Sequence, residues 1–195
     1  DFYDVSLLPN GHVGVLIADV VDKGIGAALY MALTWTLMRT YANEYPARPD
    51  LVLKAVNRRI LIDLEAKANT ETNLFVTVFY GILDPADGLF VYANAGHPPP
   101  YLLRSRPGCE IEKLTRTGVP LGLFEDKTWE SDSVQIAPGD VLVLYTDGVT
   151  EAQNVHSVCF GEDRLIASLK AGLGRSAHDI QAAVTEAVNE FVGDA

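Results

Sequence analysis

Two apolar patterns share the chain, one with a period of two and one with a period near four. Residues 2–8 alternate weakly, Pro9-Asn10-Gly11 interrupts them, and His12 to Val20 is strongly apolar. That order predicts a strand, an Asn-Gly hairpin turn and a second, more buried strand. From Ile25 the spacing turns helical: Ile25, Leu29, Ala32, Leu33, Thr36 and Leu37 form one stripe, while Tyr30, Met31, Trp35 and Met38 spread around it. A helix apolar over so much of its circumference is expected to be covered on more than one side. Pro46 and Pro49 break the pattern, and Val52, Val56, Ile60 and Leu64 mark a second helix over roughly 50–67.

Leu74 to Leu83 reads as a strand, Asp84-Pro85-Ala86-Asp87-Gly88 as a turn, and Leu89 to Ala93 as another strand. Asn94 to Pro100 is expected to be an ordered loop, because three prolines cannot join a central ladder. Short strands between Gly and Pro turns follow through Ile136. Pro138-Gly139-Asp140 then turns into Val141 to Tyr145, a run suited to a strand covered on both faces. Helices near 162–171 and 177–192 close the chain, the second opened by Ser176-x-x-Asp179, a capping-box pattern. Strands grouped around two helices, with helices at the end, predict an α+β fold of two packed antiparallel β-sheets flanked by helices. At 195 residues a single domain spanning 1–195 is expected. Trp35, Trp129 and most Tyr and Phe residues are read as core.

Composition narrows the function classes. The 26 acidic and 15 basic residues leave a net charge of −11, which excludes the clustered Lys and Arg of a nucleic-acid surface. The acids are spread along the chain, as on a solvated surface, with room for some to gather around cations. Cys109 and Cys159 lie far apart without metal-site spacing, so zinc is unsupported and two thiols in a reducing cytoplasm are expected. The longest uncharged stretch, Gly24 to Met38, has 15 residues, short of the roughly 20 that a membrane span needs. Neither a transmembrane helix nor a secretory signal is read at the Asp1-Phe2-Tyr3-Asp4 opening, and a cytoplasmic location is expected.

One design occurs twice. The apolar strand Val13 to Ala18 delivers Asp19, and the apolar strand Val141 to Tyr145 delivers Asp147. A carboxylate where a buried strand stops is costly to desolvate unless paired, hydrogen-bonded or bound to a cation. Either Asp alone fits a turn or helix cap. Two such strand ends side by side would suit a hard divalent ion. His97 is either a general acid near phosphate or part of a rigid Gly- and Pro-bounded loop. Gly24-x-Gly26 lacks the third glycine of a dinucleotide-binding turn, since Leu29 stands there, and no Gly-Lys-Ser/Thr phosphate loop occurs.

Asp1-Phe2-Tyr3-Asp4 and Ala18-Asp19-Val20-Val21-Asp22-Lys23-Gly24 resemble the first signatures of PPM-type metal-dependent protein phosphatases. The similar branch is that of stage II sporulation protein E and RsbU-like enzymes. Asn94-Ala95-Gly96-His97-Pro98-Pro99, Gly118-Val119-Pro120-Leu121-Gly122, Leu144-Tyr145-Thr146-Asp147-Gly148-Val149-Thr150-Glu151-Ala152 and Phe160-Gly161-Glu162-Asp163-Arg164-Leu165 match its later signatures in order. The resemblance implies a hydrolase with two Mn²⁺ or Mg²⁺ ions, in which a cation-activated water attacks phosphorus and no protein nucleophile is needed. It implies Asp19 as a bridging ligand, Asp147 and the Val20 carbonyl as further ligands, and Asp1 as a ligand directly or through water. Asp4 is a weaker ligand candidate, more often a solvated strand residue, and Asp22 is either an extra carboxylate near the site or a charge at a helix N-terminus.

The resemblance further implies a phosphorylated protein substrate, a small anti-sigma factor antagonist, and an upstream sensor in a longer multidomain chain. A homodimer is left open. The family's closing Asp-Asp-Ile-Thr strand has no counterpart at Gly193-Asp194-Ala195, so the chain is read as a fragment lacking the terminal acidic strand. A regulatory binding module that has lost its metals is the alternative function. A nucleotidyl transferase would need a phosphate cradle that the sequence does not contain.

Overall fold

The computed structural model describes residues 1–65, 74–105 and 111–193, so Cys109, Asp194 and the expected end of the second helix at 66–67 lie outside the described residues. In chain order the elements are β1 (Phe2–Leu7), β2 (Val13–Val20), α1 (Ile25–Glu44), α2 (Pro49–Glu65), β3 (Val76–Leu83), β4 (Leu89–Ala95) and β5 (Tyr101–Leu103). Then come β6 (Ile111–Lys113), β7 (Asp132–Gln135), β8 (Val141–Val143), α3 (Asp147–Thr150), α4 (Gly161–Ala171) and α5 (Ala177–Val192). Two antiparallel sheets with helices result, the expected α+β class. The chain divides into two units: Asp1–Pro99 with Thr115–Ile136, and Pro100–Leu114 with Ala137–Ala195. No helix among the described residues is long and apolar enough to cross a membrane.

The first unit holds a five-stranded sheet in the order β1-β2-β3-β4-β7. Side chains alternate across a strand, so Leu16, Ala18 and Val20 share one face of β2. There they are buried with Tyr30 and Met38 of α1 and Val52, Val56 and Ile60 of α2. The register sets Ile17 opposite Phe79 and Asp19 opposite Thr77, placing these four on the other face. Phe79, Phe90 and Tyr92 stack there, with ring centroids 5.3–6.2 Å apart. Gly81 lies beneath the stack, and a Cβ at that position would stand 2.1 Å from Phe90 Cζ. The hairpin between β1 and β2 forms around Gly11 (φ +83°), in a loop closed by the Leu8 amide donating to the His12 carbonyl at 2.8 Å.

Helix α1 buries a different face from the expected one. Tyr30, Thr34, Met38 and Ala42 form the buried row, whereas Ile25 is 83% and Leu29 67% exposed. Nearly every face of α1 is apolar, so periodicity alone gives it no single direction. Trp35 is not a core residue: it is 38% exposed, and the Arg39 guanidinium carbon lies 4.6 Å from its ring centre. Tyr3 is likewise exposed, while Trp129 is buried as expected. On α2 the buried Asn57 donates to the Phe124 carbonyl at 2.9 Å and accepts from the Gly122 amide at 2.8 Å.

The second unit holds a three-stranded sheet in the order β6-β5-β8. Tyr101, Leu103, Tyr145 and Phe160 are buried with Leu165 and Leu169 of α4 and Ile180 of α5. Ser176 caps α5 as expected, its hydroxyl oxygen accepting from the Asp179 amide at 3.1 Å. Strand β8 departs from expectation: it is shorter than Val141–Tyr145, and all three of its residues are half-exposed. Its place at the end of the sheet order is the reason, since an apolar run does not reveal whether a strand is central or marginal. Asp140 anchors its start. The Asp140 carboxylate accepts from the Ser105 amide at 2.8 Å, the Ala137 amide at 3.1 Å and Arg104 Nη1 at 3.1 Å.

Candidate functional site

Asp19 is the penultimate residue of β2, where the strand emerges from the core built by Leu16, Ala18 and Val20. Phe2 pairs with Ala18, and continuing that register by one residue sets Asp1 opposite Asp19. The α-nitrogen of Asp1 lies 3.7 Å from Asp19 Oδ1. Asp1 thus precedes β1 beside the end of β2 that carries Asp19. Val20 closes β2 with a buried side chain, which leaves only its backbone for chemistry. These donors are carboxylate and carbonyl oxygens, the kind that Mg²⁺ and Mn²⁺ take. Among the described residues no group of three or more acidic, histidine or cysteine side chains is gathered as a metal site.

Asp147 belongs to the second unit. It is exposed and occupies the first position of α3, with Thr146 as the N-cap in an extended conformation. A carboxylate there meets the unsatisfied amides of a helix start, and the Glu151 amide closes the turn on the Asp147 carbonyl at 2.7 Å. The sequence showed an acid beyond the strand, but neither the strand's earlier end at Val143 nor this short helix.

Asp4 and Asp22 take different places from those expected, and His97 takes the second of its two, the rigid loop. Asp4 is not solvated: Arg39 Nε and Nη2 hold its two oxygens at 2.6 and 2.8 Å, tying β1 to α1. That guanidinium keeps the Asp4 carboxyl below the usual carboxylate range. Asp22 is not in the first turn of α1, which contains no acid; it lies in the preceding bend at φ +88°, its Oδ1 accepting from the Lys23 amide at 2.8 Å. His97 is 0% exposed and so cannot meet a substrate as a general acid from where it stands.

The surroundings of His97 were not foreseen. Buried Asn94 accepts from the His97 amide at 2.9 Å and donates to the His97 carbonyl at 3.2 Å, clasping the bend from within. His97 Nδ1 lies 3.0 Å from Thr77 Oγ1, and that hydroxyl donates to the Asp19 carbonyl at 3.5 Å. One signal was present: Thr77 is the only polar non-aromatic side chain in Leu74 to Leu83. Asn94, three residues before His97, also has the spacing of a side chain that closes a turn on the backbone.

Residues 9–195 match the family described as Stage II sporulation protein E (SpoIIE). The chain is 34% identical over 191 residues to Protein IcfG of Synechocystis sp., covering 88% of this chain and 30% of that protein. It is 32% identical over 141 residues to Phosphoserine phosphatase RsbU of Bacillus subtilis, covering 72% of this chain and 40% of that one. The chain thus spans well under half the length of either relative. In structure it is similar to the SiaA-PP2C domain of Pseudomonas aeruginosa, with a TM-score of 0.82 and 20% identity over 99% of this chain and 74% of that one.

Proposed function

Because the chain belongs to the SpoIIE family, we propose that it is a metal-dependent phosphoprotein phosphatase hydrolysing phosphoserine or phosphothreonine on a partner regulator. The observation that supports this reading is the half-buried carboxylate of Asp19 near the end of β2, a strand paired on both edges. Asp19, the Val20 carbonyl, Asp1 and Asp147 are the proposed ligands. Mn²⁺ or Mg²⁺, two per site, would supply an acidified water and positive charge for the phosphoryl oxygens. The chain's own part is to fix the carboxylates: β2 sets the direction of Asp19, and the turn of α3 that of Asp147.

The proposed substrate is a small anti-sigma factor antagonist in a bacterial, cytoplasmic partner-switching pathway, under an upstream sensor. The name of the similar RsbU, a phosphoserine phosphatase, supports the reaction. The exposed Ile25, Leu29 and Trp35 of α1 support association with a second copy, which sedimentation of Trp35→Ser would read as dissociation. The decisive experiment is hydrolysis of a phosphoserine protein with and without Mn²⁺. Turnover should vanish on chelation and return with metal. Chelator-resistant turnover, or none with metal present, would refute the reading.

A further inference from the structure

His97 is fully buried, and the proposed chemistry makes no use of it. The backbone that carries its ring is nonetheless held in place from several sides. Asn94 clasps its backbone, Gly96 bends the chain at φ +80° against Pro120, and three prolines follow. What that placement achieves at Nδ1 follows from counting protons. Thr77 Oγ1 lies 3.0 Å from His97 Nδ1 and 3.5 Å from the Asp19 carbonyl oxygen, the latter at the long limit of a hydrogen bond. A carbonyl only accepts, and a hydroxyl has one proton to give. If Thr77 gives its proton to Asp19, His97 must donate through Nδ1–H. If Nδ1 accepts instead, Thr77 has no proton left for Asp19.

We propose that His97 is a positioning residue for Asp19. Its Nδ1–H engages the Thr77 hydroxyl oxygen, and the hydroxyl proton is thereby turned toward the Asp19 carbonyl. That carbonyl belongs to the peptide joining Asp19 to Val20, the two residues assigned to the cation through a carboxylate and the next carbonyl. Thr77 is directly opposite Asp19 in the β2–β3 register, so the relay crosses the ladder where the ligands leave it. The inference rests on the proposed reading that Asp19 holds metal, and it assigns a task to a buried imidazole that contacts neither substrate nor cation.

Two pairs of variants separate this role from simple packing. In His97→Asn the side-chain amide nitrogen takes the place of Nδ1, whereas in His97→Gln it takes the place of Nε2. Thr77→Ser keeps the hydroxyl and Thr77→Val removes it. Measured by calorimetry on the intact protein, Mn²⁺ dissociation constants should stay within about threefold of wild type for His97→Asn and Thr77→Ser. They should rise about tenfold for His97→Gln and Thr77→Val, in the range known for groups that orient metal ligands. Independently of metal, ¹⁵N imidazole shifts should show His97 Nδ1 protonated. An unprotonated Nδ1, or equal Mn²⁺ affinity within both pairs, overturns the proposal. Wild-type protein that takes up no Mn²⁺ refutes the phosphatase reading instead, and the relay is then judged by the ¹⁵N shifts alone.

Discussion

Strand β2 lies between β1 and β3, bonded along both edges, whereas β8 pairs only with β5 among the described strands. Both are apolar runs that end near an acid, yet they hold it differently. Asp19 is still inside the β2–β3 ladder, half-buried and opposite Thr77, one residue past the last β1 pair, Phe2 with Ala18. Asp147 is four residues beyond the end of β8, exposed, and fixed by a four-residue helix rather than by a register. A ladder register restricts the backbone beneath a carboxylate strongly. A helix start restricts it through one turn of hydrogen bonds. The same sequence device therefore yields one stiff carboxylate position and one that depends on a single helical turn.

The most severe test of that parallel is catalytic. Asp19→Asn and Asp147→Asn should each lower Mn²⁺-dependent hydrolysis of p-nitrophenyl phosphate by more than about 100-fold, because removing a ligand should exceed the 10–100-fold cost of removing a ligand's support. Near wild-type turnover in Asp147→Asn would end the parallel, leaving the two acids alike only in sequence.

Stability should sharpen the difference between the strands. Leu16→Ala in β2 removes a side chain buried beneath α1 and α2, at a cost of about 2–5 kcal/mol. Val143→Ala in β8 removes a half-exposed one, at about 1 kcal/mol or less. Urea unfolding of both variants measures the gap, and equal losses would show β8 to be as firmly held as β2.

The smallest effect concerns pH. The Asp4 carboxyl is held below its ordinary value, chiefly by Arg39. The stability it contributes is therefore present above the unfolded carboxylate value, about pH 4, and lost as pH falls through the lower folded value. Asp4→Asn should lower the urea midpoint slightly at pH 7 and leave it unchanged near pH 2. A difference that persists in acid would mean that the carboxylate's charge is not what ties β1 to α1.

How much of this was legible depends on what kind of information each feature needs. The apolar run of β2, the helical spacing of α2 and the Ser176 cap are local, and each formed as read. The buried face of α1 is not local. Ile25 and Leu29 fit the same helical stripe as Leu33, and only the reach of the sheet beneath decides that Tyr30, Thr34 and Met38 turn inward. The half-exposure of β8 reflects its place at the end of a sheet, which no run of five apolar residues can announce. Asp4 was misjudged because its partner, Arg39, is 35 positions away. The acids of the proposed site were legible as strand-end carboxylates, whereas Thr77 acquires its meaning only from the β2–β3 register.

Asn57 bears on how the first unit breathes. Its side chain binds the Gly122 amide and the Phe124 carbonyl, just beyond the point where Leu121 and Val76 exchange backbone hydrogen bonds at 2.9 and 3.1 Å. The Gly122 amide can exchange with solvent deuterium only when α2 and this segment part. It should therefore exchange on the slow timescale of the sheet rather than that of a surface loop. A stretch that is irregular in shape is kinetically part of the core, and its opening is timed by a helix more than sixty residues earlier in the chain.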